Sequence, residues 1–85
     1  MDKSVFSNAY VLFLERLRAA REQSGITQGE LAGRLGSTQS FVSKCERGER
    51  RLDVIELRAW CRALGISLSD LIASLDETTR EDENA

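Results

Sequence analysis

The chain has 85 residues, of which 41% are hydrophobic and 31% charged, with no proline, no histidine and a formal net charge of −2. This length suits one small domain, and the composition favours an all-helical fold over a β-sandwich or a disulfide-stapled scaffold. Cys45 and Cys61 lie sixteen positions apart and form no CxxC motif, so a zinc finger is excluded, and we expect reduced thiols and neither metal nor cofactor.

The charge is distributed unevenly along the sequence. Residues 76–85 carry five acidic residues and one basic residue, whereas residues 34–62 carry seven basic residues and four acidic ones. A local positive excess of this kind is expected of a surface that binds nucleic acid, although an ordinary solvated surface gives a similar pattern.

A membrane location is not expected. The apolar run from Ala9 to Leu14 is six residues long before Glu15 and Arg16 interrupt it. A signal-peptide core needs ~7–15 apolar residues and a membrane span needs ~20. We therefore expect a cytoplasmic protein with no membrane partner.

The first predicted helix covers about residues 7–24. Its apolar positions recur at three- and four-residue spacing, and Gly25 is placed to end it. Val11 and Leu12 widen the apolar face beyond the needs of a small core. These extra apolar residues indicate either a slightly apolar exposed surface or a strip that contacts a partner.

Two further helices are predicted between Thr27 and Gly48. Thr27 and Glu30 have the spacing of a capping box, which starts the second helix. Gly36 allows a tight turn, and Ser37 or Thr38 can cap the third helix.

The remaining chain predicts two more helices and a polar end. Asp53 and Glu56 form a second box-like pair that starts a fourth helix, and Ser67 with Asp70 starts a short fifth helix. The resulting division is an N-terminal extension (1–9), a helical domain (10–75) and an acidic, disordered tail (76–85).

The second and third helices fit a helix-turn-helix. Such a unit needs a small residue where its helices nearly touch, a glycine at the turn and apolar residues facing inward. Ala32 and Gly36 meet the first two needs. The inward positions hold Leu31, Leu35, Val42 and Cys45.

This stretch, TQGELAGRLGSTQSFVSKCERGE, resembles the Cro and lambda-repressor helix-turn-helix family, also called the Xre family. The resemblance covers roughly residues 10–75 and implies a five-helix, lambda-repressor-like, all-α domain that binds double-stranded DNA. A DNA-binding module of this size also resembles phage repressors and restriction–modification controllers. Ser37 departs from the family, in which an apolar turn residue is usual, and Cys45 stands where isoleucine or leucine is usual.

The resemblance also implies roles for single residues. In the recognition helix, Gln39 matches a glutamine that pairs with adenine, and Glu46 matches a glutamate that turns inward to an arginine, here Arg21. The base-reading positions are Gln39, Ser40, Ser43 and Lys44. The expected phosphate contacts are Thr27, Gln28, Thr38, Arg47, Arg50 and Arg51.

The expected function is a sequence-specific transcriptional regulator, a repressor or autoregulator that binds an inverted repeat as a homodimer. Surplus apolar residues predict the dimer surface at Ile55, Ile72 and Leu75. Trp60 is a further candidate for that surface, although core packing is the preferred interpretation of this residue. Two other functions remain open: the antitoxin of a toxin–antitoxin pair, which would bind a protein partner, and a protein-interaction adaptor with the same fold.

Catalysis is not expected, because neither cysteine has a plausible base beside it and no glycine-rich loop could cradle a phosphate. Redox sensing by Cys45 is a minor alternative to inert core packing.

Overall fold

A computed structural model describes the backbone of residues 7–84 and the side chains of residues 7–77. Five helices follow one another: α1 (Asn8–Gln23), α2 (Gln28–Leu35), α3 (Gln39–Glu46), α4 (Val54–Leu64) and α5 (Leu68–Asn84). This is the five-helix, all-α architecture expected from the sequence. Helices α2 and α3 form the helix-turn-helix, and α1, α4 and α5 pack around it.

Local hydrogen bonds explain where the helices begin. Both predicted capping boxes are present: the side chains of Thr27 and Asp53 accept from the amides of Glu30 and Glu56, and those two carboxylates accept from the cap amides in return. Each box satisfies amides that have no partner inside the helix. The sequence therefore sets the starts of α2 and α4.

Glycines with positive φ lie after α2 and after α3, where the sequence predicted that these helices end. Gly36 has φ +67° between α2 and α3, and Gly48 has φ +81° after α3. These angles lie in the left-handed region, which a residue without Cβ enters at little cost.

The core lies where α1, α2, α3 and α4 meet. Its fully buried side chains are Leu17, Leu31, Val42, Cys45, Trp60 and Cys61. Trp60 is only 1% exposed, which confirms core packing, the preferred interpretation of this residue; its candidacy for the dimer surface is wrong, because its large ring lies in the core beneath α4. Burial also raises the pKa of both thiols, which keeps them protonated and poorly nucleophilic.

The fifth helix is longer than expected. Its backbone continues through residues 76–84, which the sequence analysis assigned to a disordered tail; residues 1–6 and 85 of the expected terminal segments lie outside the described residues. After Gly65 the chain contains no glycine or proline that would stop the helix, and glutamate and arginine are good helix formers. No helix in the described part of the chain combines the length and apolar character needed to cross a membrane.

Candidate nucleic-acid interface

A buried ionic cluster joins the first three helices. Arg21 of α1 donates from Nε to Glu46 Oε2 at 2.6 Å and from Nη2 to Glu46 Oε1 at 3.1 Å. Gln28, the first residue of α2, donates to Glu46 Oε1 at 2.9 Å. Arg21 also donates to the carbonyl of Ile26 at 2.9 Å. One carboxylate on α3 is therefore held by α1 and α2 together.

The charges in this cluster are matched. The side chains of Arg21 and Glu46 are 9% and 4% exposed, so each has lost nearly all contact with water. The hydrogen bond to Glu46 raises the pKa of Arg21 above its ordinary value. Such a pair tolerates burial because its geometry is bidentate and Gln28 gives Glu46 a further hydrogen bond.

Fixing Glu46 inward determines which face of α3 points outward. Gln39, Ser40 and Lys44 are exposed, and Ser43 is partly buried, whereas Val42 and Cys45 are fully buried. The four residues expected to read bases thus occupy the side of α3 that does not face the core. Their polar side chains can donate and accept hydrogen bonds at base edges.

The starts of α2 and α3 lie close together. A Cβ added at Gly29 would be 3.9 Å from Gln39 Oε1 and 3.9 Å from Thr27 Oγ1. Thr38 accepts from the amide of Phe41 at 3.1 Å and caps α3 as Thr27 caps α2. Two helix N-termini therefore flank the proposed reading residues, and first-turn amides suit phosphate oxygens.

Each of the three arginines after α3 already has a contact within the chain. Arg47 donates to Glu49 at 2.8 and 3.2 Å and also to the Ser43 hydroxyl. Arg50 forms a two-pronged pair with Glu56 at 2.8 and 2.6 Å. This pair lowers the pKa of Glu56, and the hydrogen bond from the Asp53 amide lowers it further.

Aromatic rings support two of these arginines. The guanidinium of Arg50 lies 5.1 Å from the centre of the Phe41 ring, and that of Arg51 lies 4.1 Å from the Tyr10 ring. Tyr10 also accepts from the amide of Leu52 through its hydroxyl at 3.2 Å. Stacking of this kind limits the directions in which a long side chain can point. The loop after α3 is thereby tied to α1.

The structure brings some predicted residues together and separates others. Gln39, Ser40, Ser43 and Lys44 form one surface, flanked by the two threonine caps. Gln28, to which the resemblance assigns a phosphate contact, donates to Glu46 in the free chain. The remaining dimer candidates divide between α4, with Ile55, and α5, with Ile72 and Leu75.

Sequence reasoning missed the acidic partners of the arginines. Glu49 stands two positions after Arg47, and Glu56 stands six positions after Arg50 and was recognised only as a helix cap. The alternation of arginine and glutamate in ERGERR was the available signal for Glu49. No fixed helical spacing connects Arg50 with Glu56, because a loop lies between them.

Comparisons with known proteins agree with this geometry. A helix-turn-helix family model, HTH_3, matches residues 17–71. The chain is 41% identical over 58 residues to an uncharacterised HTH-type transcriptional regulator, y4dJ, of Sinorhizobium fredii, with 68% of this chain and 75% of that protein covered.

Two solved structures have the same fold. An XRE-family like protein from Pseudomonas syringae pv. tomato str. DC3000 superposes with a TM-score of 0.84 at 48% identity, covering 91% of this chain and 94% of that one. The clp gene regulator ClgR from C. glutamicum superposes with a TM-score of 0.70 at 29% identity, covering 78% and 86%.

Proposed function

This chain belongs to the Xre-type helix-turn-helix family of DNA-binding transcriptional regulators, and we propose that it is a repressor or autoregulator that binds an inverted-repeat operator as a homodimer. One observation carries the proposal. Glu46 is drawn inward by Arg21 and Gln28, which leaves the outer face of α3 free of negative charge. A helix that presents only neutral polar groups and a lysine suits the major groove.

In this proposal, α3 reads the bases. The Gln39 amide pairs with N6 and N7 of an adenine, and Lys44 donates to O6 or N7 of a guanine. Ser40 and Ser43 make shorter contacts to neighbouring base edges. Each good two-point contact contributes about 1–3 kcal/mol of discrimination against the wrong base.

The phosphate contacts set the register of α3 in the groove. The Thr27 and Thr38 hydroxyls lie at two helix N-termini, and Gln28 Nε2 carries a second N–H, besides the one it donates to Glu46, that can donate to a phosphate oxygen. Arg47, Arg50 and Arg51 exchange their contacts within the chain for phosphates. Because counterions are released when this happens, binding weakens steeply with added salt.

A homodimer follows from the small size of the reading surface. One recognition helix contacts only a few base pairs, whereas two helices set one DNA turn apart, ~34 Å, read both halves of an inverted repeat. Ile55 and Ile72 are 68% and 44% exposed, which supports placing the dimer surface on α4 and α5. Leu75 is half-buried at the edge of the same part of α5.

The test is selection of bound sequences from a random duplex pool at physiological salt. The wild type should enrich an inverted repeat, Gln39→Ala should lose the preference at one position in each half-site, and Glu15→Gln, an exposed change on α1, should behave as wild type. Enrichment of a single half-site would contradict the dimer. No enrichment by a folded protein would contradict specific DNA binding and favour a protein partner, such as a toxin.

A further inference from the structure

A shallow groove runs between the end of α2 and the outer side of α4. Leu35, Ile55 and Ala59 line its floor, and Arg58 and Arg62 stand at its edge. We call this surface the α4 groove. It lies on α4, away from the outer face of α3 that carries Gln39 and Lys44, so the proposed DNA contacts leave it uncovered.

The edge of the α4 groove carries unneutralised positive charge. Arg58 and Arg62 are one helical turn apart and exposed, and among the described side chains neither has an ion-pair partner. Arg34, on the other wall, is held by a 2.7 Å hydrogen bond to the carbonyl of Ala63. An apolar floor between two basic walls forms a surface that can receive a helix.

The outer side of α5 has the opposite character. Ser69, Ile72, Ala73 and Asp76 lie side by side on it, which combines an apolar residue with two small ones and a carboxylate. We call this surface the α5 stripe. Beyond it the helix runs to Asn84, and residues 76–84 contain five acidic residues and one basic residue.

The chain cannot cover its own α4 groove with its own α5 stripe. Leu71 is buried in the core, and α5 packs along α1 through the contact between Arg16 and Ser74. These contacts fix α5 with Ile72 facing away from the body. Among the described elements, an α5 stripe can therefore reach this groove only from another molecule.

We propose that the α5 stripe of one copy lies in the α4 groove of a second copy, and that the second copy returns the same contact. Ile72 then packs over Ile55 and Ala59, and the acidic end of α5 faces Arg58 and Arg62. This inference rests on the homodimer of the proposed function and specifies which surfaces meet.

Charge complementarity favours this pairing over a groove-to-groove contact and over a parallel contact between two α5 helices. If two α4 grooves met, Arg58 and Arg62 would face their own copies, and if two α5 ends met side by side, their acidic residues would repel. A two-fold dimer lets unlike patches meet twice, because residue i contacts residue j and residue j contacts residue i. Opposite charges at the rim of the contact also disfavour positions in which α5 is shifted along the α4 groove.

The test uses two charge-reversed variants of the whole chain. One is Arg58→Glu with Arg62→Glu. The other is Asp76→Lys with Glu83→Lys, two acidic positions seven residues apart in the sequence of α5. Mass is measured by sedimentation across a range of protein concentrations, and circular dichroism melting shows that each variant is folded.

The expected result is reciprocal rescue. The wild type forms a dimer, each variant alone has a dimer dissociation constant raised about tenfold or more, and an equimolar mixture of the two recovers the wild-type constant. Rescue is needed because Asp76 also interacts within its own chain. Weaker dimerisation of the Asp76 variant alone could therefore result from the loss of that interaction. Dimerisation should also weaken with added salt in the wild type.

Three results would overturn the inference: a wild type that stays monomeric, variants that dimerise as the wild type does, or a mixture that is not rescued. A band-shift assay with the selected inverted repeat separates these failures from failure of the proposed function. If the variants dimerise normally and bind the repeat, only the pairing of surfaces is wrong. If the wild type neither dimerises nor binds the repeat, the homodimer itself is wrong.

Discussion

Arg21 and Glu46, which are 25 positions apart in sequence, form a nearly dry ion pair that joins α1 to α3. The pair does more than neutralise two charges, because it fixes the rotation of α3 about its axis. That rotation decides which residues reach outward, so a buried contact determines the chemistry of the exposed surface.

Replacing Glu46 with alanine should lower the free energy of unfolding by ~3–5 kcal/mol, because Arg21 would remain buried without its partner. Urea unfolding followed by the fluorescence of Trp60, the only tryptophan, measures this change. The double variant Arg21→Met/Glu46→Leu removes both charges and should lose much less. Equal losses in the single and double variants would show that the pair is not coupled.

Gln39→Ala and Arg50→Ala should weaken DNA binding in different ways. Loss of the Gln39 amide should cost ~1–3 kcal/mol at the selected site and relax the base preference there, with little effect on random duplex. Loss of Arg50 should weaken all duplexes similarly and reduce the salt slope by about one unit. Titrations at several salt concentrations check both, and identical behaviour of the two variants would contradict the division into readers and phosphate contacts.

Glu56→Gln should strengthen binding to DNA of any sequence by about twofold to fivefold at low salt, because Arg50 no longer has to leave a carboxylate to reach a phosphate. The glutamine keeps an acceptor for the Asp53 amide, so α4 should stay capped. Glu49→Gln is the matched change beside Arg47. Unchanged affinity in both variants would mean that these ion pairs do not compete with DNA.

Substitution of Gly48 by alanine should be more destabilising than the same change at Gly25. Both residues have positive φ, which costs about 1–2 kcal/mol with a Cβ present. Only at Gly48 would the new Cβ also meet Leu14, at 3.2 Å, whereas nothing lies within 4 Å at Gly25. Gly33→Ala, inside α2 with open space around it, should stabilise by ~0.5–1 kcal/mol. Thermal melting of the three variants measures the order of their stabilities.

The capping box of α2 should make stability depend on pH in the acid range. The amide of Thr27, followed by its hydroxyl, lowers the pKa of Glu30 below its ordinary value of 4.5. The charged carboxylate therefore stabilises the fold above pH 4.5, and this stabilisation is lost as the pH falls through the lowered pKa. Glu30→Gln keeps a capping acceptor that does not titrate. Melting at neutral pH and at about pH 3.5 should show a smaller acid-induced loss in this variant than in the wild type.

The sequence by itself determined the local structure. The spacings Thr27 to Glu30 and Asp53 to Glu56, the glycines at 36 and 48 and the apolar periodicity act between near neighbours, so they specify helix starts, turns and buried faces without reference to the rest of the fold. The helix-turn-helix could be predicted for the same reason, since its small residue and its turn glycine are local requirements.

The tertiary structure decided what distant residues do to one another. Gln28 turns toward Glu46, Arg50 pairs with Glu56 across a loop, and Trp60 fills the core rather than the surface. Hydrogen bonds and burial of this kind depend on distances in space that no sequence spacing encodes. The α5 stripe and the α4 groove also depend on the tertiary structure, because only the packed fold shows which charged and apolar faces are left uncovered.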